Sequence, residues 1–500
     1  MQKRQNDEGR HRMLSHGGCT RTLRRLWTVT SIRHSFAAAT IVVCVMLSTA
    51  WTLHSGLLTH YAYDLNIYRG ALQYWLFDGG ALYDFSTGPF SFVYPPFAAV
   101  LLSPLAFNST GTAFIFVTEV SLCALGAATW FSIFPMAKKY SWNRLYVWAL
   151  AVTLSLALTP IWITIGLGQI NLILLFFVLA DFTLLRANSR FAGIGIGLAS
   201  AIKLTPLLFI VYLAATRRWR AMFTAIGTGM AATLIGFIIL PKDSWRYFTH
   251  EIFHARNINN MLRSVNNSLT GFIARTLYEP VAPTVLWLAL SIPVVIFALW
   301  RARKAYLQGA DLAGFAIVGL AAALVSPITW IHHLVWVLPT VVVLVNAAMS
   351  SRGTRRWLRL SVAAGVFMLF SSSITMRYGD TPSEETLQQW RAVLLVNAYI
   401  IAMLLLVIFL PAARDNSETF LEEGNSGKQE SNDPAAEVNL PISRAAIANL
   451  DFNAADGDSS DTSDLVPALP AGTVTQIPGS VTGKQSLPGK VVVDDTKGDL

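Results

Sequence analysis

The chain has 500 residues, of which 53% are hydrophobic and only 13% charged, with a mean hydropathy of +0.48. A soluble globular domain carries about 25% charged residues, so the composition excludes a chain solvated wholly by water and makes lipid its main solvent. The net charge of +9 is unevenly divided: residues 412–500 hold ten Asp and five Glu against six Lys or Arg, near −9, which leaves the rest near +18.

In chain order, residues 1–33 form a basic leader with Lys3, Arg4, Arg10, Arg12, Arg21, Arg24, Arg25 and Arg33. The apolar run that follows, 34–53, is long enough to cross about 30 Å of hydrocarbon and shows no small-residue cleavage pattern, so it reads as a retained first helix with a cytoplasmic N-terminus. Further apolar runs near 112–134, 145–165, 170–186, 221–240, 282–301, 312–330, 334–348, 357–375 and 391–411 each approach the ~20 residues of a spanning helix. Between them, basic clusters at 138–144, 186–190, 217–220, 301–304 and 352–359 mark cytoplasmic loops. The stretch 191–216 begins and ends beside basic clusters, so it enters and returns as a hairpin of two short helices, with Lys203 and Pro206 near its turn. Residues 94–107 start with Tyr-Pro-Pro and are too short and proline-broken to span; they read as an interfacial or re-entrant helix. The expected fold is all-α, a polytopic membrane domain over 34–411 with about twelve helices and both termini inside. From 412 the apolar periodicity ends, and the tail to 500 reads as disordered, acidic and cytoplasmic. Cys19, Cys44 and Cys123 fall in the leader or in apolar stretches, which supports neither a disulfide framework nor a cysteine metal site.

This threading places four polar sets on the outer face. The first outer connection holds His60, Asp64, Asn66 and Arg69 among tyrosines; a carboxylate at the lipid interface is suited to general-base work, and an interfacial capping role is the simpler alternative. Gly168-Gln169-Ile170-Asn171 offers an amide pair for sugar hydroxyls, or merely a polar turn. The loop 241–280 carries His250, His254, Arg256, Arg263, Asn266, Asn267, Ser268 and Arg275, and outer cations against the positive-inside bias point to a ligand phosphate. Ser326-Pro-Ile-Thr-Trp-Ile-His332-His333 ends in adjacent histidines about 100° apart on a helix, the wrong spacing for a helical zinc pair. Polar groups converging at membrane depth, Lys203 among them, line a cavity or pathway.

At these residues the sequence resembles the polyprenol-phosphate-mannose-dependent α-(1,2)-mannosyltransferases of actinobacterial envelopes, glycosyltransferase family 87, with the GT-C membrane fold. The matching elements are Asp64-Leu-Asn-Ile-Tyr, Leu82-Tyr83, Phe92-Val-Tyr94-Pro95-Pro96, Gly168-Gln-Ile-Asn171, Ala201-Ile-Lys203-Leu-Thr-Pro206, Asn267-Ser268-Leu269 and Ser326-Pro-Ile-Thr-Trp-Ile-His332-His333. They are specific as an ordered set and weak singly, and where Asn-Gln-Ser is expected the chain reads Asn266-Asn267-Ser268. The resemblance covers about residues 30–410. It implies a polyprenyl-phosphate-mannose donor, a glycolipid or lipoglycan acceptor (lipomannan, lipoarabinomannan or a phosphatidylinositol mannoside) and a site at the outer face of the plasma membrane. On that reading Asp64 is the base of an inverting displacement. Lys203, Arg263, His332 and His333 stabilise the leaving phosphate, and Asn66, Gln169, Asn171, Asn267 and Ser268 contact sugar or acceptor. No cofactor and no metal are expected, since the outer loops hold no Asp-x-Asp, and no nucleic-acid partner is expected. Transfer of arabinofuranose or glucose from the same kind of carrier is the alternative among enzymes. A lipid or sugar transporter is the alternative outside them, although no internal repeat of the kind common in transporters is evident.

Overall fold

The computed structural model describes residues 62–88, 90–254 and 261–411; the basic leader, the first apolar run, His60, Arg256 and the acidic tail lie outside the described residues. Helices dominate. The first, α1 (Tyr63–Leu76), is followed by the two-residue antiparallel strands β1 (Ser86–Thr87) and β2 (Phe90–Ser91), then by α2 (Pro96–Leu102) and a 3-10 turn, Ser103–Phe107. Pro96 at the first position of α2 lacks only an N–H that the helix start leaves unpaired anyway. The broken 96–107 segment agrees with the short, proline-limited helix expected there.

The long apolar helix α3 (Thr110–Lys139) starts at the Ser109 hydroxyl, which accepts from the Thr112 N–H at 3.2 Å, and ends in Lys138 and Lys139. The run 145–165, expected as one span, is instead α4 (Arg144–Ser155) and α5 (Thr159–Gly166), bent by 73°. Pro160 explains the break, because it has no N–H to give the preceding turn and its ring clashes with that turn's carbonyl. Next come α6 (Asn171–Arg186) and the hairpin of α7 (Ile194–Ile202) and α8 (Leu207–Ala215), which turns at Lys203 as the flanking basic clusters require. The hairpin packs tightly on its neighbours: a Cβ on Gly195 would strike the Phe177 carbonyl, and one on Gly197 the Ala225 carbonyl.

The remaining elements are α9 (Trp219–Ile239), α10 (Pro241–Arg246) with a π-turn Tyr247–Glu251, α11 (Leu269–Leu277), α12 (Thr284–Leu307) and α13 (Asp311–Val325). A 3-10 turn, Ile331–Trp336, leads into α14 (Val337–Met349), followed by α15 (Gly353–Ser371), α16 (Trp390–Val396) and α17 (Ala398–Phe409). The run 391–411, expected as one span, bends by 64° between α16 and α17. Among the described residues four helices are long and apolar enough to cross a membrane, or up to six if each bent pair is one span. The large apolar side chains exposed on α9 and α12, such as Phe223, Ile238, Val285 and Ile296, face outward where lipid is the solvent. The family-level picture of a helical membrane protein follows from this.

The largest apolar cluster runs from α1 to α17, with α13 at its centre and three smaller clusters beside it; Phe315 to Leu320 are all buried, and Trp336 packs against Gly319. Gly319 admits the indole face, where any Cβ would meet the ring.

Candidate active site

Asp64 sits in the first turn of α1, and its carboxylate lines a cavity of about 780 Å³ together with Tyr63, Trp162, Gln169, Lys203, Glu251, Arg263, Trp330, His332, His333 and Asp380. Local backbone geometry fixes the carboxylate there. Gly168 has φ +67°, a conformation natural to glycine, and a Cβ on it would come within 2.7 Å of the Leu65 Cβ. The Leu65 N–H donates to the Leu167 carbonyl at 3.2 Å, so the turn before α6 is tied directly to the first turn of α1. The result brings Gln169 Nε2 to 2.6 Å from Asp64 Oδ2. Burial pushes the Asp64 carboxyl up from its ordinary value, against the opposing pulls of the Gln169 hydrogen bond and the Lys203 charge.

Lys203 ends α7 in extended backbone; its Nζ donates to Asn171 Oδ1 at 3.0 Å and lies 5.2 Å from the centre of the Tyr94 ring. The unwound turn after α7 thus delivers a half-buried cation to the cavity wall. His332 Nε2 is 4.0 Å from Asp64 Oδ2 and is buried with no hydrogen-bond partner among the described residues. The His333 Nδ1 accepts from the Trp330 N–H at 3.2 Å, which leaves its proton on Nε2. The two rings stand nearly perpendicular, 4.5 Å apart.

Arg263 forms the mouth. Its Nε donates to Asp380 Oδ1 at 2.9 Å, and its guanidinium lies 5.4 Å from the Phe90 ring centre and 5.2 Å from that of Trp330. Ser264 clasps the same loop, with its N–H to the Asp380 carbonyl at 2.7 Å and its hydroxyl to the Gly379 carbonyl at 2.6 Å. On another wall Glu251 accepts from Arg246 at 2.7 Å, and Arg246 also reaches Asp84 at 2.6 Å. Among the described residues no group of three His, Cys, Asp or Glu has metal-binding geometry.

Several residues expected to touch sugar or acceptor stand elsewhere. Asn66 is exposed and does not line the cavity, because two residues along a helix turn the side chain by about 200° from Asp64, to the opposite face. Asn267 and Ser268 are fully buried and do not line the cavity. Ser268 caps α11 by accepting the Gly271 N–H at 3.2 Å, and the Asn267 N–H donates to the Thr329 carbonyl at 2.5 Å. With Asn266 Oδ1 accepting from the Thr329 N–H at 3.1 Å, this motif laces the outer loop to the 326–330 turn. Asn171 lies behind Lys203 and orients it. The Gln169 amide is engaged at both ends, accepting from the Tyr94 hydroxyl at 3.0 Å and donating to Asp64. Arg275 is buried and structural: it donates to Asn397 Oδ1 at 2.8 Å and to the Arg263 and Asn266 carbonyls, filling the bend between α16 and α17. The side chain of His254 is outside the description. Sequence reasoning assigned no role to Tyr94, Glu251, Trp330 or Asp380; Tyr94 and Trp330 carried a signal, as parts of Phe92-Val-Tyr94-Pro95-Pro96 and of the motif that ends in His332-His333.

The family model of glycosyltransferase family 87 matches residues 92–327. A Mycobacterium tuberculosis protein named polyprenol-phosphate-mannose-dependent α-(1-2)-phosphatidylinositol mannoside mannosyltransferase is 31% identical over 345 residues, 66% of this chain and 78% of the relative. The chain belongs to glycosyltransferase family 87. A Mycolicibacterium smegmatis protein of the same name is 30% identical over 66% of this chain and 79% of its own. A second from that organism, named for transfer to phosphatidylinositol pentamannoside, is 30% identical over 66% and 81%. No solved structure matches this glycosyltransferase. The family-model match takes in Tyr94, Gln169, Lys203 and Arg263, while Asp64 and the histidine pair stand just beyond its ends. The cavity of this glycosyltransferase is therefore completed by residues from either side of the matched segment. Membership makes the chain an enzyme and sets the transporter alternative aside.

Proposed function

We propose that this glycosyltransferase moves mannose from polyprenyl-phosphate mannose to a phosphatidylinositol-mannoside-type glycolipid, forming an α-(1,2) linkage in a GT-C-type polytopic domain (34–411) at the outer face of the plasma membrane. The observation that carries the reading is the half-buried Asp64 carboxylate on the wall of a cavity shared with the cations Lys203 and Arg263. A β-linked mannosyl phosphate displaced once gives an α product. The acceptor oxygen bonds to C1 as the C1–O bond to phosphate breaks, the hydroxyl proton passes to Asp64, and polyprenyl phosphate leaves. Lys203 and Arg263 oppose the charge left on that phosphate, each charge-assisted contact contributing on the order of 1.5–3 kcal/mol when desolvated. His332, 4.0 Å from Asp64, faces the same reacting groups. Tyr63, Trp162 and Trp330 offer aromatic faces to sugar rings. The similarity to the mycobacterial mannosyltransferases favours mannose over arabinofuranose or glucose.

The test supplies purified full-length enzyme with radiolabelled polyprenyl-phosphate mannose, arabinofuranose or glucose in turn, and a phosphatidylinositol mannoside acceptor. Mannose alone is expected in the product, in a linkage cleaved by an α-(1,2)-specific mannosidase. Asp64→Asn is expected to lower turnover by about 10²–10⁴-fold. Label from another donor, or near-normal turnover by the Asn variant, contradicts respectively the sugar and the base.

A further inference from the structure

Asp64 stands at the end of a hydrogen-bonded chain that the displacement itself does not require. Tyr68 and Tyr94 hydroxyls are 2.9 Å apart, the Tyr94 O–H donates to Gln169 Oε1 at 3.0 Å, and Gln169 Nε2–H donates to Asp64 Oδ2 at 2.6 Å. All three residues before Asp64 are buried. Gln169 has one arrangement that satisfies both neighbours, since turning the amide over would set its carbonyl against the carboxylate. The single Tyr94 proton is then committed to Gln169, so Tyr68 is the donor to Tyr94. Every bond in the chain points toward Asp64, and Oδ2 is thereby occupied, leaving Oδ1 for the acceptor proton.

The chain is braced from outside. The Tyr94 carbonyl accepts from the Tyr83 hydroxyl at 2.8 Å, and Tyr83 stacks on Tyr247 with ring centres 5.7 Å apart. The other charged or titratable groups facing Asp64 are Lys203 from the hairpin turn, His332 from the 3-10 turn and Tyr63 from its own helix, with His333 and Arg263 further along the wall.

We propose that Tyr94 is a positioning residue for the transfer reaction: through Gln169 it fixes the orientation of Asp64 and presents one defined oxygen to the acceptor hydroxyl. The proposal rests on Asp64 being the base, and it gives Gln169 a different task from sugar binding.

Tyr94→Phe is the decisive variant, because it removes the hydroxyl and keeps the ring that Lys203 lies against. It is tested in the full-length purified enzyme with both lipid substrates, measuring kcat, both KM values and the pH dependence of kcat. The expected result is a fall in kcat of about tenfold, with both KM values within about twofold, as for a mispositioned reacting group. The acidic limb should also move to higher pH by about half to one unit, because the ionised carboxylate loses support worth roughly one hydrogen bond. Tyr83→Phe, which loosens the brace without touching the chain, should leave the limb in place. Tyr94→Phe combined with Gln169→Leu should be no slower than Gln169→Leu alone, since both act through one contact. If Tyr94→Phe is poorly folded by its melting temperature, Tyr68→Phe at the far end carries the same test, with a smaller shift of the same sign. An unmoved acidic limb, a loss expressed as a raised KM for either substrate, or additive effects in the double variant overturns the proposal. Failure of the base assignment is separate, since it shows as turnover retained in Asp64→Asn whatever Tyr94→Phe does.

Discussion

At the scale of single residues, the site contrasts a carboxylate held by neutral donors with a cation held loosely at the mouth. Burial lifts the Asp64 carboxyl above its ordinary value of 3.8. A base works only when ionised, so turnover should be present above that raised value and lost as pH falls through it; the acidic limb of kcat is expected above pH 3.8. A limb at or below that value, measured with substrate saturating at each pH, contradicts the burial argument. Arg263 and Asp380 are paired with side chains 26% and 57% exposed, a setting in which an ion pair contributes little to stability. Arg263 is therefore free to exchange Asp380 for a donor phosphate. Arg263→Ala is expected to raise the donor KM by about tenfold, an effect that shrinks at high salt, with the acceptor KM unchanged. A rise confined to the acceptor KM assigns the guanidinium to the other substrate.

At the scale of elements, the turn before α6 and the hairpin of α7 and α8 do most of the positioning. Gly168→Ala combines an unfavourable φ of +67° with a Cβ 2.7 Å from that of Leu65, so it should shift the α1 start relative to Gln169. The expectation is a lower melting temperature and a kcat reduced by about 10²-fold, the order reached when reacting groups are displaced by about 1 Å. A variant with normal kcat would show that the Asp64–Gln169 contact tolerates this displacement. The hairpin was legible in sequence because an apolar stretch too short to cross twice as full spans is flanked by Arg at both ends, which leaves its turn, with Lys203, opposite the basic face. The breaks at 156–158 and 397 were less legible. Pro160 sits inside an otherwise continuous apolar run, and Asn397 reads as a stray amide until Arg275, 122 residues earlier, is seen bonded to it. The same distance problem hid the real tasks of Gln169 and Asn267. Sequence shows that an amide is available at a turn, but whether that residue is engaged by a neighbour 62 to 105 residues away is a property of packing.

At the scale of the whole molecule, the apolar helices share one polarity, which leads to a test of orientation. Each of α3, α6, α9, α12, α13, α14 and α15 has basic residues or their contacts at one end and the cavity loops or their supports at the other. On one side of the bundle Lys139 reaches Ser350 at 3.1 Å and Arg359 reaches the Ala347 carbonyl at 2.9 Å. On another, Arg218 pairs with Asp311 at 2.9 Å, Arg303 reaches the Ala215 carbonyl at 3.0 Å, and Arg301 reaches the Leu410 carbonyl at 2.5 Å. The basic clusters that separate the apolar runs in sequence are thus drawn together in two groups, and the end of α17 joins one of them. The proposed orientation, with that face in the cytoplasm and the cavity outside, is the one the positive-inside bias favours. The test replaces Cys19, Cys44 and Cys123 with serine and introduces single cysteines at the exposed positions Glu385, beside the cavity mouth loop, and Arg355, in the basic cluster. In intact cells stripped of wall, an impermeant maleimide should label Glu385→Cys and spare Arg355→Cys until the membrane is permeabilised. A further cysteine at Ser459 in the tail should behave like Arg355→Cys. The reverse pattern at 355 and 385 would invert the bundle and require a donor presented from the cytoplasmic leaflet. Labelling at 459 alone would detach the tail from the face on which α17 ends.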